Sequence, residues 1–234
     1  MDRSLNYGRP LIERFLRNVQ DAGLVLDLGA GHGDDLLIAR RVHPQAELHA
    51  VEVHKPYIQE LTQKGIRVHP IDMERNKLPF DDGAVDVVIM NQTLEHAKEV
   101  FWIFHETTRV LRLGASLIIG VPNLAAWHNR VLLALGKQPS QLRNYSAHIR
   151  GWTKGDMAKL IEECFGGYVL SGFGGSNFYP FPPLVARPLA RLFPTLAWGI
   201  CMHWRKQKQY RRGFLEYPVQ QRLETNFFLG EEPG

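Results

Sequence analysis

Glycine recurs at every second position, Gly29, Gly31 and Gly33, after Val25-Leu26-Asp27-Leu28, where three branched apolar residues surround an acid. A strand that breaks into such a turn and then into a helical stretch, Leu36-Leu37-Ile38-Ala39-Arg40, opens a nucleotide-binding βαβ unit. A dinucleotide fingerprint needs glycine or alanine at position 34, but Asp34 and Asp35 stand there. Two carboxylates in the first helical turn would repel a pyrophosphate seated on the helix N-terminus. A phosphate-free ligand carrying an ammonium and a sulfonium suits this turn better, and S-adenosylmethionine (SAM) is such a ligand.

Glu52 ends a second strand-like stretch, Glu47 to Val53, nineteen residues after Gly33. A carboxylate there can accept both hydrogens of a ribose 2′,3′-diol. Methyl transfer from a sulfonium is an in-line displacement, for which positioning alone can contribute roughly 7–11 kcal/mol. The chemistry requires no metal, and the spacing displays no ligand set. A hydroxyl acceptor must lose a proton, and near neutral pH a histidine is the group to take it. His148 is the first candidate and His96 the second.

Several elements must position these residues. Apolar spacing over residues 8 to 22 predicts an amphipathic helix stopped by Gly23. Strands are expected at Leu24 to Leu28, Glu47 to Val53, Ile66 to Ile71, Val85 to Met90, Ala115 to Val121 and Tyr168 to Phe173, with helices between them. The run Leu196 to Trp204 reads as a seventh, antiparallel strand, since thirteen largely apolar residues from Leu192 are too few to span a bilayer. About thirty residues, 124 to 153, intervene after the fifth strand, and an insertion there emerges at the carboxyl edge of the sheet and covers the site.

The wording D-x-G-x-G-x-G resembles the first motif of the class I SAM-dependent methyltransferases, and the likeness extends from about Leu24 to about Phe173. Asn91-Gln92-Thr93-Leu94-Glu95-His96 resembles the segment after the fourth strand of small-molecule methyltransferases. The Asn/Asp-Pro-Pro-Tyr of DNA amino-methyltransferases is absent, and neither cysteine follows a proline as RNA cytosine-C5 enzymes require. Pro122-Asn123, the Trp127, Asn129, Arg130 helix and His148-Ile149-Arg150-Gly151-Trp152-Thr153 resemble methyltransferases of glycan and natural-product pathways and of the methionine-biosynthesis-associated group. The resemblance implies an α/β, Rossmann-like doubly wound sheet of seven mostly parallel strands, helices on both faces, and a cap insertion after strand five. It implies Asp27 facing the methionine amino group, with Gly29, Ala30 and Gly31 passing close to the cofactor. Glu52 and Val53 would lie at the ribose, Asp72 and Met73 at the adenine, and Asn91 and Gln92 would complete the cofactor site. Tyr145, Arg150 and Asn123 would meet the acceptor.

Composition sets the remaining bounds. The 234 residues, 44% hydrophobic, fit one domain with decorations. We expect a methyltransferase domain over 1–207, with the cap at about 124–153 and a Pro- and aromatic-rich insertion at about 174–195, then a C-terminal tail, 208–234. Cys164 and Cys201 lack metal or disulfide spacing, and the start lacks the pattern of a signal peptide, so a reduced, cytoplasmic setting is expected. The net charge of +4 is concentrated in Arg205, Lys206, Lys208, Arg211 and Arg212. Such a cluster can attract the phosphate groups of nucleic acid or anionic lipid, or simply be a solvated face. The expected activity is SAM-dependent methylation, O-directed, of a small-molecule, sugar-containing or lipid-linked acceptor, yielding S-adenosylhomocysteine. Nucleic acid is not the expected partner. The alternatives are an RNA or protein methyltransferase and a non-catalytic SAM-binding partner protein.

Overall fold

The computed structural model describes residues 6–143, 146–224 and 226–230. From the N-terminus come α1 (Arg9–Arg17), β1 (Leu24–Leu28), α2 (Asp34–Val42), β2 (Glu47–Val51), α3 (Lys55–Gln63), β3 (Arg67–His69), β4 (Val85–Asn91), α4 (Val100–Val110) and β5 (Leu111–Pro122). They are followed by α5 (Trp127–Ala134), α6 (Lys154–Cys164), β6 (Tyr168–Ser176), α7 (Pro183–Leu192), β7 (Gly199–Lys206) and α8 (Gly213–Gln220). One sheet has the order β3-β2-β1-β4-β5-β7-β6, with β1 to β5 parallel and β7 antiparallel to both its neighbours. This is the seven-stranded, Rossmann-like α/β architecture expected from the sequence, and the apolar run before Arg205 is its antiparallel strand.

Strand residues alternate between two cores, because successive side chains leave opposite faces of the sheet. Leu26, Leu28, Val88, Met90, Leu117 and Ile119 pack with Phe104 of α4, Ile161 of α6 and Phe214 of α8. Val25, Val87, Ile89 and Ile118 pack with Phe15 of α1, Leu36 of α2 and Leu61 of α3. Residues at positions 25 and 27 share a face, so Asp27 leaves β1 on the α1–α2 side.

Several strand bounds move by a few residues, β3 shortening to three residues and β5 beginning at Leu111, and three other segments differ more in kind. The first helix ends at Arg17 rather than near residue 22, because the chain tightens into i→i+3 bonds at Asn18 and Val19 and Asp21 takes a left-handed φ of 46°. In the Pro-rich stretch lies α7, whose Pro183 occupies the first turn, where the missing N–H has no helical partner to lose. The segment set apart as a tail contributes α8, which seats Phe214, fully buried, against Phe104. Among the described residues, no helix is long and apolar enough to cross a membrane.

Candidate functional site

A cavity of about 390 Å³ opens at the carboxyl ends of β1 and β4, lined by Arg9, the turn 29–32, Asp34, Asp35, Asn91, Gln92, Glu95, His96 and His148. The turn is built from left-handed glycines, with φ of 76°, 51° and 75° at Gly29, Gly31 and Gly33. A Cβ on Gly33 would come 2.5 Å from Leu61 Cδ2, so that glycine serves packing against α3. A Cβ on Gly31 would meet nothing within 4 Å, so that glycine faces open space. Glu52 holds the turn in place. Its Oε2 accepts from Gly31 N at 2.9 Å, while Oε1 accepts from Val53 N at 2.9 Å and His54 N at 2.8 Å.

Charge is concentrated behind the turn. Burial, and then the charges of Asp35 and Glu52, push the Asp27 carboxyl well above the usual carboxylate range. Asp35 is raised by burial too, against the pull of Asn91 Nδ2, which donates to its Oδ2 at 2.8 Å, and of Arg9. Arg9 reaches over from α1 and lies 2.9 Å from Asp34 Oδ2. Its Nε stands 3.4 Å from Asp35 Oδ1, and both atoms are buried without a hydrogen bond, as is Asn91 Oδ1. These groups suit a zwitterionic, cationic ligand: a guanidinium for a carboxylate, unsatisfied oxygens for an ammonium, and a side-chain-free approach at Gly31.

The far end of the cavity is formed by Glu95, His96 and His148. The His96 and His148 rings meet edge to face with centroids 4.7 Å apart. Burial and the neighbouring His96 hold His148 below its ordinary value. Glu95 is 1% exposed, burial pushes it up to about 7, and its Oε2 has no partner. The cap is fixed here by main-chain bonds, since Ile149 N and Arg150 N donate to Glu95 O at 2.9 and 3.1 Å, and by Trp152 Nε1, which donates to Leu94 O at 3.2 Å.

The structure thus brings together Gly29, Ala30, Gly31, Asn91, Gln92, His96 and His148. Other expected site residues lie elsewhere. Val53 is exposed, Asp72 accepts from Glu74 N in a surface turn, and Met73 packs against the core. Asn123 is buried with its amide donating to Thr195 O and Ala197 O and its oxygen accepting from Ala125 N. Arg150 turns its guanidinium to Ala97 O and Lys98 O. Tyr145 lies outside the described residues. Sequence reasoning missed Arg9, for which no local signal exists, and Glu95, which stood inside the Leu94-Glu95-His96 motif.

A family model described as methionine biosynthesis protein MetW matches residues 9–147, more than half of the chain. The chain is 33% identical over 120 residues to the bifunctional methionine biosynthesis protein MetXA/MetW of Rhodopirellula baltica, covering 48% of this chain and 19% of that relative. It is 26% identical over 98 residues to malonyl-[acyl-carrier protein] O-methyltransferase of Xylella fastidiosa, covering 41% and 33%. The chain spans a third or less of the length of these curated relatives. Among solved structures, it overlays on the Haloferax volcanii complex between the Trm112 methyltransferase activator and a methyltransferase with a TM-score of 0.63 at 15% identity, covering 88% of this chain and 91% of the other. The Burkholderia thailandensis 1,6-didemethyltoxoflavin-N1-methyltransferase, with bound S-adenosylhomocysteine, gives a TM-score of 0.59 at 16% identity, covering 88% and 80%. At these identities the likeness is one of fold. The chain therefore belongs to the methionine biosynthesis protein MetW family and carries the class I SAM-dependent methyltransferase fold.

Proposed function

We propose that the chain binds SAM and directs its methyl group to an oxygen of a small-molecule, sugar-containing or lipid-linked acceptor. The observation that carries this reading is the unsatisfied polarity around the open face of Gly31. When bound, SAM supplies a methyl group on a positively charged sulfur. Arg9 pairs with the methionine carboxylate, and Asp27 and Asp35 face its ammonium, with Asn91 and Gln92 closing that end. Glu52 retains acceptor capacity on Oε2 for a ribose hydroxyl. Val53, Asp72 and Met73 border the adenosine, outside the cavity. His148 and His96 take the proton the acceptor loses, while Arg150 and Asn123 act by holding the cap, and Tyr145 contacts the acceptor. A cytoplasmic protein touching anionic membrane through the exposed Leu184 and Leu192 of α7, beside Arg187 and Arg191, would meet a lipid-linked acceptor there.

Incubation with methyl-labelled SAM and a metabolite extract, followed by mass spectrometry of the labelled products, tests the reading. His148→Asn should lower turnover by roughly 10²–10⁴-fold with SAM affinity unchanged. A second reading, a SAM-binding partner protein without turnover, is favoured by the Rhodopirellula baltica relative, whose name joins MetXA and MetW in one chain. Saturable SAM binding with no labelled product in any fraction would select it. Label in RNA or protein would move the acceptor class instead.

A further inference from the structure

We propose that Glu95, His96 and His148 form a binding site for one divalent transition-metal ion, held by two imidazole nitrogens and a carboxylate oxygen at the acceptor end of the cavity. One ligand atom from each residue lies within 4.8 Å of the other two. Tetrahedral coordination at Zn–N distances of about 2.0–2.1 Å puts ligands roughly 3.3 Å apart, so binding draws the three atoms inward by about 1.5 Å at most, within reach of side-chain rotation.

Two further observations point to an ion. The first is the set of unsatisfied atoms: Glu95 Oε2 and His148 Nδ1 are buried with no hydrogen-bond partner. A carboxyl buried this way is satisfied by a proton or by a cation, and Arg150, whose main-chain N donates to Glu95 O, spends its guanidinium on Ala97 O and Lys98 O. The second is the tautomer of His96. Its Nδ1 is 3.1 Å from Ala147 O, which can only accept, so Nδ1 carries the proton and Nε2 keeps a free lone pair. A ligating histidine is commonly set in this way, its other nitrogen donating to a carbonyl. Ile149 N and Arg150 N on Glu95 O fix the cap segment that carries His148 to the strand exit that carries the other two.

Two imidazoles and one carboxylate favour Zn²⁺, Fe²⁺ or Mn²⁺ over Mg²⁺ or Ca²⁺, which prefer all-oxygen shells. Three protein ligands leave coordination positions open toward the cavity, and an acceptor oxygen entering one would be made more acidic and would give its proton to water, so His96 and His148 act as bases only in the ion-free protein. Only that consequence rests on the proposed methyl transfer. The binding of the ion does not.

The test uses the full chain, stripped with a chelator and free of SAM. Zn²⁺ titration by calorimetry should give one site per chain with a micromolar or tighter Kd, and Co²⁺ should give the visible absorption of a four- or five-coordinate nitrogen–oxygen site. Glu95→Gln and His148→Asn should each weaken Zn²⁺ at least tenfold. His96→Gln, at an exposed position, should do the same without touching the core, with the melting curve checking the fold. No saturable Zn²⁺ binding, or binding that survives all three substitutions, overturns the site. Zn²⁺ bound through these residues with no methyl transfer would sustain the site and sink the reaction. Full turnover by chelated protein that binds no Zn²⁺ would do the reverse.

Discussion

Two hollows in the molecule differ less in size than in how their polar atoms are satisfied. The larger, about 600 Å³, lies near the start of β5 and is lined by Lys77, Trp102, Glu106, Arg109, Lys206 and Arg212 among others. Its buried polar groups have partners. Arg109 pairs with Glu106 at 2.7 Å and Asp82 at 2.8 Å, Lys206 Nζ donates to Thr108 O and Leu111 O, and His105 Nδ1 lies 2.9 Å from Tyr210 OH. Among the described residues, none lining it has a buried polar atom without a partner, whereas five lining the smaller cavity do: Arg9, Asp35, Asn91, Glu95 and His148. Each such atom costs about 1–3 kcal/mol if nothing replaces its lost water. The hollow assigned to the ligand in the proposed function is the one left unsatisfied, and volume alone would have chosen the other.

Filling the small cavity should break this contrast most. Gly31→Val places a β-branched side chain at φ 51° and into open space, so SAM affinity should fall by more than about 100-fold. Calorimetry on variant protein with an unchanged circular dichroism spectrum reads this, and unaltered affinity would put the ligand elsewhere. Glu52→Ala follows, at about 1–3 kcal/mol, because the ribose loses a charge-assisted acceptor and the turn loses its anchor on Gly31 N. An affinity equal to wild type would remove Glu52 from the cofactor.

The sequence made these two residues visible because the glycine spacing is local turn chemistry and the strand-end acid stands at the fixed distance, about twenty residues, that a βαβ unit sets. The seventh strand was legible for the same reason, as an apolar run of strand length. What it hid depends on distant partners. Arg9 meets Asp34 and Asp35 only because α1 packs beside α2, and Glu95 joins His148 only because the cap folds back across more than fifty residues. The helix α7 was masked by its own prolines, whose effect depends on where in the helix they fall.

Asp27 sharpens the comparison by linking unsatisfied charge to pH. A carboxyl raised in the folded state keeps a proton that the unfolded chain has lost, so the ligand-free protein loses stability as pH rises from the ordinary carboxylate range through the raised value. Asp27→Asn should therefore raise the melting temperature of the ligand-free protein near neutral pH, by roughly 2–4 °C for each kcal/mol relieved. The same change should weaken SAM several-fold, and flatten a loss of SAM affinity that wild type shows on acidification. A variant that melts earlier and binds SAM as well as wild type would make Asp27 a structural acid.

The smallest effect is expected in the larger hollow. Arg211 and Arg212 are exposed there, at the edge of the sheet opposite the glycine turn. The seven residues of β4 separate the two edges by roughly 20 Å at about 3.3 Å per residue. That is about twice the Debye length of ~8–10 Å at physiological salt, so these charges are screened from the cofactor. Changing both to alanine should leave the Kd for SAM within about twofold of wild type, and stability within about 0.5 kcal/mol, as for surface positions without buried partners. Calorimetry and denaturant melts measure both. A tenfold loss of SAM affinity in this double variant would couple the hollows through the sheet, and pairing of charges would then no longer distinguish a ligand site from a mere groove.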